Sequence, residues 1–356
     1  YENRVITRHE NTDPLTIDDM AVWDSSDDAD IPFTAVSGSP DTLTLPADTK
    51  FLVWTGKTFE PNGNVTLSGG GAGGAQDGTL EVQTNGQFTA KTTESHSVGG
   101  SIIFGANSVF TSASSTMILT TTGASRTVDV NANNFHNLTL SGVGSWNMTD
   151  STLTVNGTYT QSNGSTTFPT GTTTIGTAFN ATGGSFVING SPMIFTSAGA
   201  GNTVRFNNSS VSDLTFNGTG SWNMTDTNAT ATGAVVINSG TVTLPGGNFA
   251  VGGNFTNLGG AITHNTSDLI MTATSTAILH ASSSDLYLVN FAGSGAFTIT
   301  DPSITFLSSF NINGGAVTVG TGTTAIGGSM LVNSGSFVHS SGTVLLNATS
   351  SGHTIN

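Results

Sequence analysis

Apolar and hydroxyl-bearing residues alternate in short bursts along most of this chain, as in Leu138-Thr139-Leu140, Leu153-Thr154-Val155, Thr241-Val242-Thr243-Leu244 and Val317-Thr318-Val319. A period of two places every second side chain on the same side of an extended backbone, so each burst predicts a short strand with one buried face. Between the bursts lie Asn156-Gly157, Asn163-Gly164-Ser165, Gly183-Gly184, Gly259-Gly260 and Asn313-Gly314-Gly315. Such clusters form turns because Gly and Asn reach positive φ with little strain. No segment joins helical apolar spacing to a capping residue, which predicts very little helix.

The bursts belong to a longer repeat. Ser141-Gly142-Val143-Gly144-Ser145-Trp146-Asn147-Met148-Thr149-Asp150 returns, after a period of about 76 residues, as Asn217-Gly218-Thr219-Gly220-Ser221-Trp222-Asn223-Met224-Thr225-Asp226. A third copy follows at nearly the same step, from Ala292 to Asp301, with Phe297 at the tryptophan position. Met117-Ile118-Leu119, Met193-Ile194-Phe195, Leu269-Ile270-Met271 and Val344-Leu345-Leu346 keep that step, as do Ile175-Gly176, Val251-Gly252 and Ile326-Gly327. Val98-Gly99 extends this last series back by one more copy. The expected organisation is an acidic segment over 1–48, an entry region over 49–116, and repeats over 117–192, 193–268 and 269–343. A fourth, incomplete unit opens at 344–356.

A period of this size marks an array in which each unit buries its apolar face on its neighbours. About four coils of roughly 19 residues would fill one repeat, predicting an all-β, elongated parallel β-solenoid (β-helix); tandem β-sandwiches are the rival architecture. Composition fits the solenoid. Only 8% of residues are charged, against roughly 25% in a typical domain, and identical charges stacked on successive coils would repel. Thr, Ser and Asn ladders stack without that penalty.

Net charge is −15 with seven Lys and Arg in all, which argues against nucleic acid or anionic lipid as a partner. There is no Cys, so disulfides and thiolate metal sites are excluded. No apolar run is long enough to span a bilayer as a helix. The chain starts at Tyr1 without a signal-peptide pattern, so either a leader has been removed or the chain begins inside a larger precursor.

Residues able to do chemistry are few. No Glu follows Glu94, and from 117 onward the acids are Asp129, Asp150, Asp213, Asp226, Asp268, Asp285 and Asp301. Glycoside hydrolysis needs a carboxylate pair, yet Asp150, Asp226 and Asp301 are repeat-equivalent, which marks them as turn or corner residues. The same reasoning makes Trp146, Trp222 and Phe297 core fillers before sugar platforms. Asp24, Asp27, Asp28 and Asp30 are the candidate calcium ligands, since Ca²⁺ takes several carboxylate oxygens from a flexible loop. A solvated acidic loop is the competing reading, and no other cofactor is expected. His9, His96, His136, His264, His280, His339 and His353 are scattered without a zinc spacing, most of them expected at the surface or corners. Gly69-Gly70-Gly71-Ala72-Gly73-Gly74 satisfies a dinucleotide-binding spacing but no helix pattern follows, so it reads as a loop. Asn64, Asn147, Asn223 and Asn347 stand in N-x-S/T sequons and are glycosylation candidates.

Phe135-His136-Asn137-Leu138-Thr139-Leu140-Ser141-Gly142 and Val251-Gly252-Gly253-Asn254-Phe255-Thr256-Asn257-Leu258-Gly259-Gly260 resemble the repeats of very large secreted surface proteins of bacteria and archaea, which are adhesin-like or autotransporter-passenger-like β-solenoids. The resemblance covers about 49–356 and implies an extracellular or cell-surface stalk, filament or adhesin, without catalytic residues to carry over. The expected function is therefore non-catalytic and structural, with self-association head to tail through solenoid ends. Arg4-Val5-Ile6-Thr7 at one end and Leu345, Leu346 and Ile355 at the other are the candidate assembly residues. An adhesin or glycan-binding surface protein is the first alternative, and a polysaccharide-degrading β-helix enzyme the second. Ice binding is a third, and requires Thr-x-Thr rows to align on one face over many coils.

Overall fold

The computed structural model describes residues 42–45, 47, 50–61, 63–69 and 78–356, together with the backbone of Ala21–Trp23. Asp24, Asp27, Asp28 and Asp30, Arg4 to Thr7, and Gly70 to Gly74 lie outside the described residues, as does most of the acidic segment. The protein is an all-β parallel β-solenoid, and no helix occurs among the described residues. It divides into two compact units, Tyr1–Gly176 with Asn180–Asn189 and Thr177–Phe179 with Gly190–Asn356.

Three parallel sheets wrap the first unit. The first holds Thr42–Leu45, Asn64–Leu67, Ser95–Val98, Thr116–Leu119, Asn137–Leu140 and Tyr159–Gln161. The second begins with Ala21–Trp23 against Lys50–Val53 and runs through Thr79–Val82, Ile102–Phe104 and Arg126–Asp129 to Ser185–Val187. The third is in two pieces, short strands from Thr58–Phe59 to Val109–Thr111 and then Leu153–Val155 with Thr173–Ile175. The chain visits the three in rotation, one strand each per turn except at Phe135, which meets the third face as a single bridge to Val155.

The second unit repeats that plan. One sheet runs from Met193–Phe195 to Ser336–His339, a second from Ala229–Ala231 to Met330–Val332, and a third is built in two pieces, Asn202–Arg205 to Ala261–Thr263 and Ser303–Phe306 to Thr343–Leu346. The alternation seen in sequence becomes the burial pattern of the strands: in Asn137–Leu140 and Ala316–Val319 every second residue is buried. Buried rings meet between faces and from turn to turn, Phe51, Phe59, Phe88, Phe110 and Phe135 in one unit and Phe291, Phe297, Phe306 and Phe310 in the other. Each buried ring contributes about 1.5–3 kcal/mol of transfer free energy.

The turn is one or two residues longer than expected. Leu138 pairs in register with Tyr159, Trp146 with Thr166, Leu214 with Val235 and Val317 with Phe337. A repeat of about 76 residues then winds through about three and two-thirds turns, and the next copy begins on a different face. Met193, Leu269 and Val344, one landmark in three copies, lie on three different sheets of the second unit. Within the first unit, Val98 and Ile175 are likewise on different sheets.

Candidate functional site

The three repeat-equivalent aspartates converge on one structural task. Asp150 Oδ2 accepts the N–H of Val130 at 2.7 Å and its Oδ1 that of Ala132 at 2.8 Å. Asp226 takes the N–H groups of Phe206 and Asn207, and Asp301 those of Ala281 and Ser282 at 2.8 and 2.7 Å. Each carboxylate reaches back one turn to a four-residue corner closed by an i to i+3 hydrogen bond: Asn133 N–H to Val130 O, Ser209 to Phe206 and Ser284 to Ala281. The two central residues of each corner are left-handed: Asn131 and Ala132, Asn207 and Asn208, Ser282 and Ser283, with φ between 49° and 65°. These are type I′ turns whose outward N–H groups need an acceptor, and the carboxylate of the following turn supplies it. Burial raises the Asp150 carboxyl above its ordinary range, opposed by the two N–H donors.

Trp146, Trp222 and Phe297 are buried in the core. A positive-φ glycine of the next turn lies against each tryptophan. A Cβ on Gly164 would fall 2.7 Å from the Trp146 ring and 2.4 Å from Gly144 O, and one on Gly240 would meet Trp222 and Gly220 O in the same way. Asn147 and Asn223 point outward and are exposed, as is Asn347, whereas Asn64 is half-buried and its Oδ1 accepts the N–H of Ser95 at 2.8 Å. Leu345, Leu346 and Ile355 are 47%, 42% and 69% exposed, and Ile355 bridges to Met330.

Charge concentrates in the turns before the first full repeat. Lys50 pairs with Glu81 at 2.6 Å and Lys91 with Glu60 at 2.8 Å. Glu94 and His96 are both buried: Glu94 Oε2 accepts the N–H of Lys91 at 2.7 Å and lies 3.4 Å from His96 Nε2, while His96 Nδ1 accepts the N–H of Val65. His96 thus departs from the corner position expected of most histidines. The alternation Ser95-His96-Ser97-Val98 was the available signal, since it puts His96 in phase with inward Val98.

Two further polar groups depart from the repeat, one buried and one half-buried. Tyr159 donates to Gln161 Oε1 at 2.8 Å, and Gln161 Nε2 donates to Ser185 O at 2.9 Å; burial raises the Tyr159 hydroxyl pKa. Asp268 has a carboxyl raised by burial and an Oδ1 without a hydrogen-bond partner. Among the described residues no three His, Asp or Glu side chains come together as a metal site, and no helix is long and apolar enough to cross a membrane. Compared with known proteins, the chain matches no family model, no curated protein and no solved structure.

Proposed function

We propose that this chain is a non-catalytic structural protein of the cell exterior, a segment of a stalk or filament whose partner is a further copy of itself. The carrying observation is the mismatch between repeat and turn. A repeat that gains two-thirds of a turn with each copy distributes its equivalent residues over all three faces, so duplication reinforces the shaft evenly and concentrates no ligand contacts on one side. The repeat-equivalent acids support the same reading, because both oxygens of Asp150, Asp226 and Asp301 hold backbone of the preceding turn. Copies would stack through the strand edges and apolar positions around Leu345, Leu346 and Ile355, where unpaired edges invite another strand.

Negative-stain electron microscopy across a concentration series tests the proposal. Filaments that lengthen with concentration support it. Isolated particles at every concentration, together with retention of the chain on a glycan array, would replace it with the adhesin reading.

A further inference from the structure

One face of the first unit presents an uncharged, regular array of hydroxyl and amide side chains. Its outward positions form two ranks running across six consecutive strands. The first rank is Thr42, Asn64, Ser95, Thr116, Asn137 and Thr158, and the second is Thr44, Thr66, Ser97, Ile118, Thr139 and Thr160. All twelve positions are half-buried, so the side chains form an even layer. None is charged, whereas the adjacent sheet carries Lys50, Glu81 and Asp129. The first rank is also held in place: Asn64 Oδ1 accepts from Ser95 N at 2.8 Å, Asn137 Oδ1 from Thr158 N at 2.9 Å, and Asn137 Nδ2 reaches Thr116 Oγ1 at 3.4 Å.

We propose that this face binds ice. Parallel strands repeat at about 4.8 Å and alternate residues along a strand at about 6.6 Å, a mesh on the scale of the oxygen spacing at the surface of hexagonal ice. Hydroxyls and amides supply hydrogen bonds to lattice water, and the threonine methyls, with Ile118, order the water between them. A fixed array loses little entropy on binding, and an uncharged one does not hold a competing ionic hydration shell. The long turn from Thr66 to Ser97 and the shorter one from Thr139 to Thr160 absorb their length difference in loops, leaving the ranks in line.

The test is incorporation of the full chain into slowly growing polycrystalline ice, with thermal hysteresis measured in parallel. Thr66→Lys with Thr139→Lys places charge on the face, and Thr298→Lys with Thr318→Lys places the same charge on a sheet of the second unit. Circular dichroism melts confirm that both variants fold. Incorporation of the parent and the control, with loss of incorporation and hysteresis in T66K/T139K, is the expected result. A parent excluded from ice, two variants that behave alike, or a parent held by crystalline cellulose but not by ice would overturn it. Filament formation is read independently of this assay, so either proposal fails without the other.

Discussion

The turns before residue 116 and the turns after it solve the stacking problem differently. In the earlier turns Leu43 pairs with Val65, Phe51 with Leu80 and Thr66 with Ser97, so turn length is uneven and reaches half as much again as in the later ones. In the later turns nearly every step is the same to within one residue, as from Leu138 to Tyr159, Leu214 to Val235 and Phe297 to Val317, although the step from Phe255 to Leu279 is longer. The earlier turns hold the Lys50–Glu81 and Lys91–Glu60 pairs and the buried Glu94 and His96. After Lys91 there is no lysine, and side chains bind backbone of the neighbouring turn instead. Irregular loops separate charges enough for pairs to form. A strict rung spacing stacks like on like and favours Asp-to-backbone and Asn-to-Asn bonds such as Asn333 Nδ2 to Asn313 Oδ1 at 2.8 Å.

The comparison is broken most severely in the core of the regular turns. Trp222→Ala should destabilise by about 3–5 kcal/mol, read as the shift in urea midpoint, because the ring fills the space beneath Gly240. Removing a clamp comes next. Asp226→Ala leaves the N–H groups of Phe206 and Asn207 without their acceptor, and should cost about 2–3 kcal/mol in the same assay.

Asp268 sharpens the contrast because it sits in the same regular region without a clamp's partners. Burial raises its carboxyl, so the charged form is the strained one. A carboxyl whose folded pKa lies above its unfolded value contributes stability that is full below the unfolded pKa and is lost as pH rises through the folded one. Asp268→Asn should therefore melt at or above the parent at neutral pH, with the two curves converging in acid; a lower melting temperature at neutral pH would contradict it. The smallest effect belongs to the early turns. Lys91→Ala breaks a pair whose side chains are 45% and 49% exposed, and should change stability by about 0.2–1 kcal/mol, diminishing with added salt.

Much of this was legible in the sequence. Period-two bursts located the strands because burial follows the pleat directly, and repeat equivalence identified Asp150, Asp226 and Asp301 as corner residues. What the corners do was not legible: the partners of Asp226 lie 19 and 20 residues upstream, and only the register of adjacent turns brings them together. The turn length was read one or two residues short for a related reason. Dividing the repeat by a whole number assumes that repeat and turn coincide, yet nothing in stacking energetics requires it, since a strand on any of the three faces meets an equivalent neighbour above and below. The burial of His96 was missed although alternation puts it in phase with inward Val98, because the histidines were weighed by residue type and not by phase; Asp268 stands in the outward phase of its strand, where alternation signals no burial.

The central claim is that repeat and turn are out of step, and cysteine cross-linking tests it most directly. Thr298 and Thr318 both point outward and are partners in register, and neighbouring Cα atoms at about 4.8 Å lie within disulfide range. Thr298→Cys with Thr318→Cys should form an intramolecular disulfide under mild oxidation of dilute protein, while Thr298→Cys with Val317→Cys, one residue short and facing the core, should not. Rapid cross-linking of the 298 and 317 pair, with none at 298 and 318, would contradict the account.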